Sequence, residues 1–145
     1  MLSELLKFKH KSIIQVRFKD IDIMGHVNNA NHFAYFELAR MQYFNEVVSE
    51  SINWEEEGII LAHMEIDYKK PILLHDHVLV YARVSKLGTK SFDFEYCIVV
   101  ENDNAIDIVA TGKSVQVCFN YLSNQTIPVP ELWRAKVVAY ESALT

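Results

Sequence analysis

Between Phe18 and Arg40 the chain reads F-K-D-I-D-I-M-G-H-V-N-N-A-N-H-F-A-Y-F-E-L-A-R. Two carboxylates, Asp20 and Asp22, come first. Gly25 and His26 follow, then the amides Asn28 and Asn29, and then a segment of helical character. Acids, an imidazole and small amides are thus gathered where a helix begins. A helix start carries unpaired N–H groups and a partial positive charge. Such a place polarises a carbonyl oxygen while a carboxylate beside it acts as base or nucleophile. Asp20 and Asp22 share one side if the preceding strand runs through them. His26 is read as a base, a substrate donor or a cap.

Other chemistries find less support. His75 and His77 straddle Asp76 and would point the same way on a strand, as a metal pair does. No third ligand has zinc-type spacing, and neither an H-E-x-x-H motif nor a Cys-x-x-Cys pair is present. Exposed residues at a strand start account for these histidines, so no metal and no cofactor are expected. There is no G-x-S-x-G elbow, phosphate-cradling glycine loop or dinucleotide fingerprint.

The elements that position these residues follow from pattern. With 145 residues, half of them hydrophobic, one globular domain spanning 1–145 is expected. Residues 12–19 alternate, with Ile14, Val16 and Phe18 in phase, and read as a half-buried strand. The long helix is expected from about Ala30 to Val48. Phe33, Phe36, Tyr43, Phe44 and Val47 form one apolar stripe, with Ala34, Leu38, Met41 and Val48 beside it. Glu37, Arg40 and Glu46 take what remains, so the helix reads as largely enclosed. Asn28 or Asn29 suits its N-cap.

After a loop ending at Gly58 the period changes to two. Strands are expected over 59–69, with Ile60, Ala62, Met64, Ile66 and Tyr68 on one face, and over 77–86, with Val78, Val80, Ala82 and Val84. A further strand covers 91–101, with Phe92, Phe94, Tyr96, Ile98 and Val100, and the last covers 105–120. In that last strand Ile106, Ile108 and Ala110 are apolar at even positions, but Val115, Val117 and Phe119 at odd ones. A β-bulge near Gly112 would restore the phase. A short helix follows Pro130. Short links imply antiparallel pairing, so the fold class is α+β: a five-stranded antiparallel sheet wrapped around one long helix.

Charge and cysteine content bound the partners. A net charge of −5 argues against nucleic acid or an anionic membrane, and Lys69-Lys70 is too short for a basic patch. No apolar run nears the ~20 residues of a membrane helix, and the N-terminus lacks the apolar centre of a signal peptide. Cys97 and Cys118 read as buried free thiols. A cytoplasmic location fits all of this.

The D-I-D-I-M-G-H-V-N-N run and the F-E-L-A-R that closes the helix segment resemble the signature of hot-dog-fold acyl-CoA thioesterases of the 4-hydroxybenzoyl-CoA thioesterase-like family. I-D-Y-K-K-P at 66–71 and the H-D-x-V strand start at 75–78 are similar to later parts of that family. The resemblance implies the hot-dog fold and hydrolysis of an acyl-CoA to free acid and CoA. It places the catalytic carboxylate on Asp22 and the carbonyl-polarising amide around Asn29. Gly25, His26 and Asn28 would position the substrate. Met24 stands where the plant acyl-carrier-protein thioesterases carry an asparagine. His32 stands where a tyrosine is common, and His75 where a glycine is common.

Two other classes compete with this reading: a hot-dog hydratase or dehydratase of acyl thioesters, and a non-catalytic acyl-thioester binding protein. The spacing of Asp22 and His26 does not match the first. The intact Asp22 and Gly-His-Val-Asn-Asn run argue against the second. A single sheet on one helix leaves an outer face, with Leu79, Tyr81, Val99 and Val109, and free edges that invite pairing. A homodimer or dimer of dimers is therefore expected, and the resemblance adds that the active site lies between subunits.

Overall fold

A computed structural model describes residues 2–144 of the chain. A 3-10 segment, Leu2–Lys7, leads into β1 (His10–Ile14). A second 3-10 turn, Phe18–Asp20, precedes the long helix α1 (Asn31–Val47). Four long strands follow: β2 (Gly58–Tyr68), β3 (His77–Leu87), β4 (Ser91–Asn102) and β5 (Ala105–Asn120). A two-residue strand β6 (Gln125–Thr126) and helix α2 (Glu131–Tyr140) close the chain. The sheet runs β1-β3-β4-β5-β2, antiparallel throughout, with β6 paired to β5. This is the expected α+β arrangement, with β6 as a sixth strand too short to show periodicity.

The core lies between α1 and the concave face. Val78, Val80, Ala82 and Val84 of β3 and Phe92, Phe94, Tyr96, Ile98 and Val100 of β4 all point into it, in the expected phase. The Phe36 ring stacks on Tyr96 with centroids 4.4 Å apart, and Phe44 meets Phe92, Phe94 and Trp133. α2 thus seals one end of the core through Trp133 and Val137. Cys97 and Cys118 are both free and buried, and burial pushes their thiols up to about 11 and about 12.

Several expectations are corrected. β1 begins at His10 and ends at Ile14, so the alternation that buries is His10, Ser12 and Ile14. Beyond it the chain turns, and Phe18 is 83% exposed. The bulge in β5 falls at Val109, where the register with β4 shifts between Ile98 and Val99. Gly112 pairs regularly with Tyr96 and Ile66. It is needed for another reason: a Cβ there would stand 2.5 Å from the Phe36 ring. The bulge carries Val109 into the main core, away from the outer face expected for it. A further bulge in β2, between Leu61 and His63, puts Leu61 and Met64 opposite Gln116 and Ser114, and Ile60 opposite Val117. Ile60 therefore leaves the helix-facing set.

The outer face is also less bare than expected. Leu5 and Phe8 lie over Leu79, Tyr81, Val99 and Ile108 in a second, smaller cluster. α1 is enclosed on one side only. His32, Tyr35, Phe36, Ala39, Arg40, Tyr43 and Phe44 are buried, while Phe33, Ala34, Glu37 and Leu38 are exposed, the first three beside Leu61 and Met64 of β2. Apolar periodicity places Phe33 and Leu38 inside and Arg40 outside; packing reverses both. No helix among the described residues is long and apolar enough to cross a membrane.

Candidate active site

The segment between β1 and α1 is a compact loop built on its own polar groups. Asp22 Oδ1 accepts from the Met24 amide at 2.9 Å and the His26 amide at 3.4 Å. The Asp22 amide donates to the His26 carbonyl at 2.8 Å, and the Gly25 amide to the Asp22 carbonyl at 3.0 Å. Gly25 sits at φ +80°, the left-handed conformation that favours glycine. The bridge Ile21–Val27 clamps the loop, and the Val27 amide ties it to the Ile72 carbonyl at 2.8 Å. These contacts fix the orientation of the Asp22 carboxylate.

The helix start is layered. Ala30 is the formal cap and gives no side-chain bond. Capping comes from Asn28, whose Oδ1 accepts from the Ala30 amide at 2.9 Å and whose carbonyl accepts from the Asn31 amide at 2.9 Å. The Asn28 amide is spent on the Asp20 carbonyl at 2.8 Å. The Asn29 amide has no acceptor among the described residues. Asn29 also holds Tyr68, whose hydroxyl donates to its carbonyl at 2.8 Å.

Asp22, His26 and Asn29 line one open cleft of about 310 Å³, together with Met24, His32, Tyr68, Lys69 and Lys70. The cleft brings together Asp22, His26 and Asn29 of the expected set. Gly25 and Asn28 act behind it, through the loop turn and the cap. Tyr68, at the end of β2, and Lys69 and Lys70, just after it, are not among the expected site residues; the local signal for them is the I-D-Y-K-K-P run at 66–71. His32 is buried in the first turn of α1, its ring edge-on to Tyr68 with centroids 4.9 Å apart. Burial lowers its pKa, and the Asn28 and Asn29 backbone offsets this only in part.

Asp20 does not join the cleft. It is 1% exposed, and its carboxylate takes the Tyr35 hydroxyl at 2.9 Å and both the amide and guanidinium of Arg17 at 3.1 Å. Burial alone would raise its pKa, but the Arg17 and Tyr35 hydrogen bonds and the Arg17 charge outweigh that and hold it below the usual value. His75 and His77 line a different cavity, at the start of β3. Among the described residues no group of three or more His, Cys, Asp or Glu is placed to hold a metal ion.

The match to a family model decides the kinship, since it spans residues 16–137. The chain belongs to the thioesterase-like superfamily. A crystal structure of a thioesterase from Thermus thermophilus, complexed with coenzyme A and Zn, is 37% identical. It covers 90% of this chain and 98% of its own, with a TM-score of 0.77. The PA5185 protein of Pseudomonas aeruginosa superposes with a TM-score of 0.84 at 26% identity, covering 96% of each chain. The long-chain acyl-CoA thioesterase FadM of Escherichia coli is 24% identical over 127 residues, covering 86% of this chain and 93% of FadM. The hot-dog reading of the sequence therefore stands at the level of superfamily and fold.

Proposed function

We propose that this protein hydrolyses the thioester of an acyl-CoA. One observation carries the reading. Asp22, its carboxylate fixed by the loop, and Asn29, whose amide has no acceptor among the described residues, line the same cleft at the start of α1. In hydrolysis, oxygen adds to the thioester carbonyl, the C–S bond breaks, and CoA leaves as its thiol. Asp22 supplies the carboxylate, either attacking the carbonyl or taking the proton of the attacking water. The Asn29 N–H donates to the oxygen as negative charge develops there. One such donor is worth ~3 kcal/mol of transition-state stabilisation.

The surroundings suit the substrate. Lys69 and Lys70 line the cleft where CoA phosphates would pass; Lys70 is paired with Asp107 at 3.2 Å, so Lys69 supplies the positive charge there without an ion pair among the described residues. The kinship with a thioesterase crystallised with coenzyme A, and with a long-chain acyl-CoA thioesterase, supports CoA as the carrier. Tyr68 at the end of β2 lines the cleft, and the far edge of β2 pairs with no strand among the described residues. Phe33 and Leu61 are exposed and line a second cleft, between α1 and β2. A homodimer joined there would close the cleft and place the site between subunits.

The test is thiol release from a panel of acyl-CoAs, with crotonyl-CoA hydration followed in parallel. Thiol release with at least one acyl-CoA, abolished by Asp22→Asn, is expected. Hydration without thiol release would move the protein to the hydratase class, and neither activity with tight CoA binding would make it a binding protein.

A further inference from the structure

We propose that the buried guanidinium of Arg40 is completed by Glu37 of a second copy of this chain, so that two reciprocal Glu37–Arg40 pairs lock α1 of one subunit to α1 of its partner. This rests on the homodimer reading above and adds the contact that specifies it. Arg40 is only 6% exposed, yet no carboxylate pairs with it among the described residues. Its Nη1 donates to the Tyr96 hydroxyl at 3.0 Å, and that hydroxyl shares a 2.7 Å hydrogen bond with Ser114 Oγ. Gln116 Nε2 donates to the same Oγ at 2.5 Å. Every partner in this network is neutral. Burial pushes the Tyr96 phenol up, against the pull of Arg40, so Tyr96 keeps its proton. Arg40 Nε has no partner among the described residues. A buried charge in this state calls for an anion.

The place for that anion is visible. Arg40 forms part of a cleft of about 390 Å³ between α1 and β2. The rest of the lining is Phe33, Ala34, Leu61, Met64 and one carboxylate, Glu37. Glu37 is exposed one turn before Arg40 and makes no ion pair among the described residues. A free anionic ligand would meet that carboxylate as a repulsive neighbour. A second copy would bring the matching charge. An interface around a two-fold axis uses one patch twice, so it must be self-complementary. A patch holding an unpaired cation, an unpaired anion and exposed apolar side chains meets that demand.

The experiment is light scattering and sedimentation equilibrium over a concentration series, on the wild type, Glu37→Gln, Glu37→Lys and Arg40→Met. The wild type is expected near 34 kDa, twice the 16.8 kDa chain, or at twice that mass as a dimer of such dimers. Glu37→Gln should weaken the dimer at least ~30-fold, the range for truncating one member of a buried charge pair, and Glu37→Lys further. In the Arg40→Met background, Glu37→Gln should add little, because the pair is already lost. Thermal melts of dilute Glu37 variants should match that of the dilute wild type. An unchanged dimer in Glu37→Lys would overturn the pairing and leave the dimer standing. A monomeric, active wild type would remove both. A Glu37 variant that destabilises the monomer while sparing association would assign Glu37 to its own Arg40 and overturn the proposal. Glu37 is solvent-facing, so its variants report even if Arg40→Met does not fold.

Discussion

The Tyr35 hydroxyl donates to Asp20 Oδ2 at 2.9 Å, beneath the first turn of α1. The same aspartate offers its main-chain carbonyl to the Asn28 amide and to Asn31 Nδ2. One buried residue thus braces the loop that carries Asp22 and the turn that carries Asn29. Asp20 serves the site from below, as structure.

Asp20→Asn and Tyr35→Phe should therefore cost stability, each by about 1.5–3 kcal/mol, the range for a hydrogen bond to a buried charged group. Asp20 gives up its proton more readily folded than unfolded. Its contribution is complete above the ordinary aspartate value of about 3.9 and is lost as pH falls through the lower folded value. Urea titrations at pH 7 and across the acid range check both points. The wild type should lose its excess stability over Asp20→Asn only below about pH 4. A variant as stable as wild type at pH 7 would mean the carboxylate is not holding the loop.

The order of elements, the helix bounds and the Asp22–Asn29 cluster are legible because each rests on local pattern: period two, period 3.6 and a polar run at a helix start. The inward polar residues are not. Asp20, His32, Arg40, Ser114 and Gln116 are all buried. Hydropathy places such residues outside, and only the partners met in three dimensions make them tolerable. The bulge is legible as a phase change between Ala110 and Val115, but its position, at Val109, is not. Gly112 attracts the assignment because glycine is common at bulges; what it accommodates is a ring on another element.

That ring gives the next prediction. In Gly112→Ala the new Cβ would meet Phe36 at 2.5 Å and the Glu65 carbonyl at 2.9 Å. Phe36 is fully buried and stacked on Tyr96, so it has little room to yield. Overpacking of this kind costs ~1–3 kcal/mol. Phe36→Leu combined with Gly112→Ala should recover part of the loss, which a thermal-shift double-mutant cycle would read. Additive losses would assign the glycine a backbone role instead.

His32 sets a pH limit on the site. Its folded pKa is lowered, by burial first, so the unfolded chain takes up the proton more readily. Stability from neutral His32 is full above the ordinary value of about 6.5 and declines as pH drops below it. The denaturation midpoint should fall between pH 7.5 and 5.5 in the wild type. In His32→Asn, which cannot take up a proton, the fall should be smaller. Parallel curves for the two proteins would show that His32 titrates alike folded and unfolded.

Asp22→Asn tests the chemistry. Asparagine is nearly isosteric, and its side-chain oxygen can still accept from the Met24 and His26 amides, so the loop should keep its shape. The substitution removes the charge, the nucleophile and the proton acceptor together. Stability should change by well under the cost of Asp20→Asn, since Asp22 is part-exposed and has no ion pair among the described residues. The kcat for thioester hydrolysis should fall at least ~100-fold, the lower end for losing a positioned base. KM should move little, because the groups that would hold CoA, Lys69 and Lys70 among them, are untouched. Asp20→Asn should show the reverse pattern, a less stable protein with kcat per folded molecule largely kept. If Asp22→Asn hydrolyses thioesters at a near-normal rate, the carboxylate in the cleft is not the catalytic group.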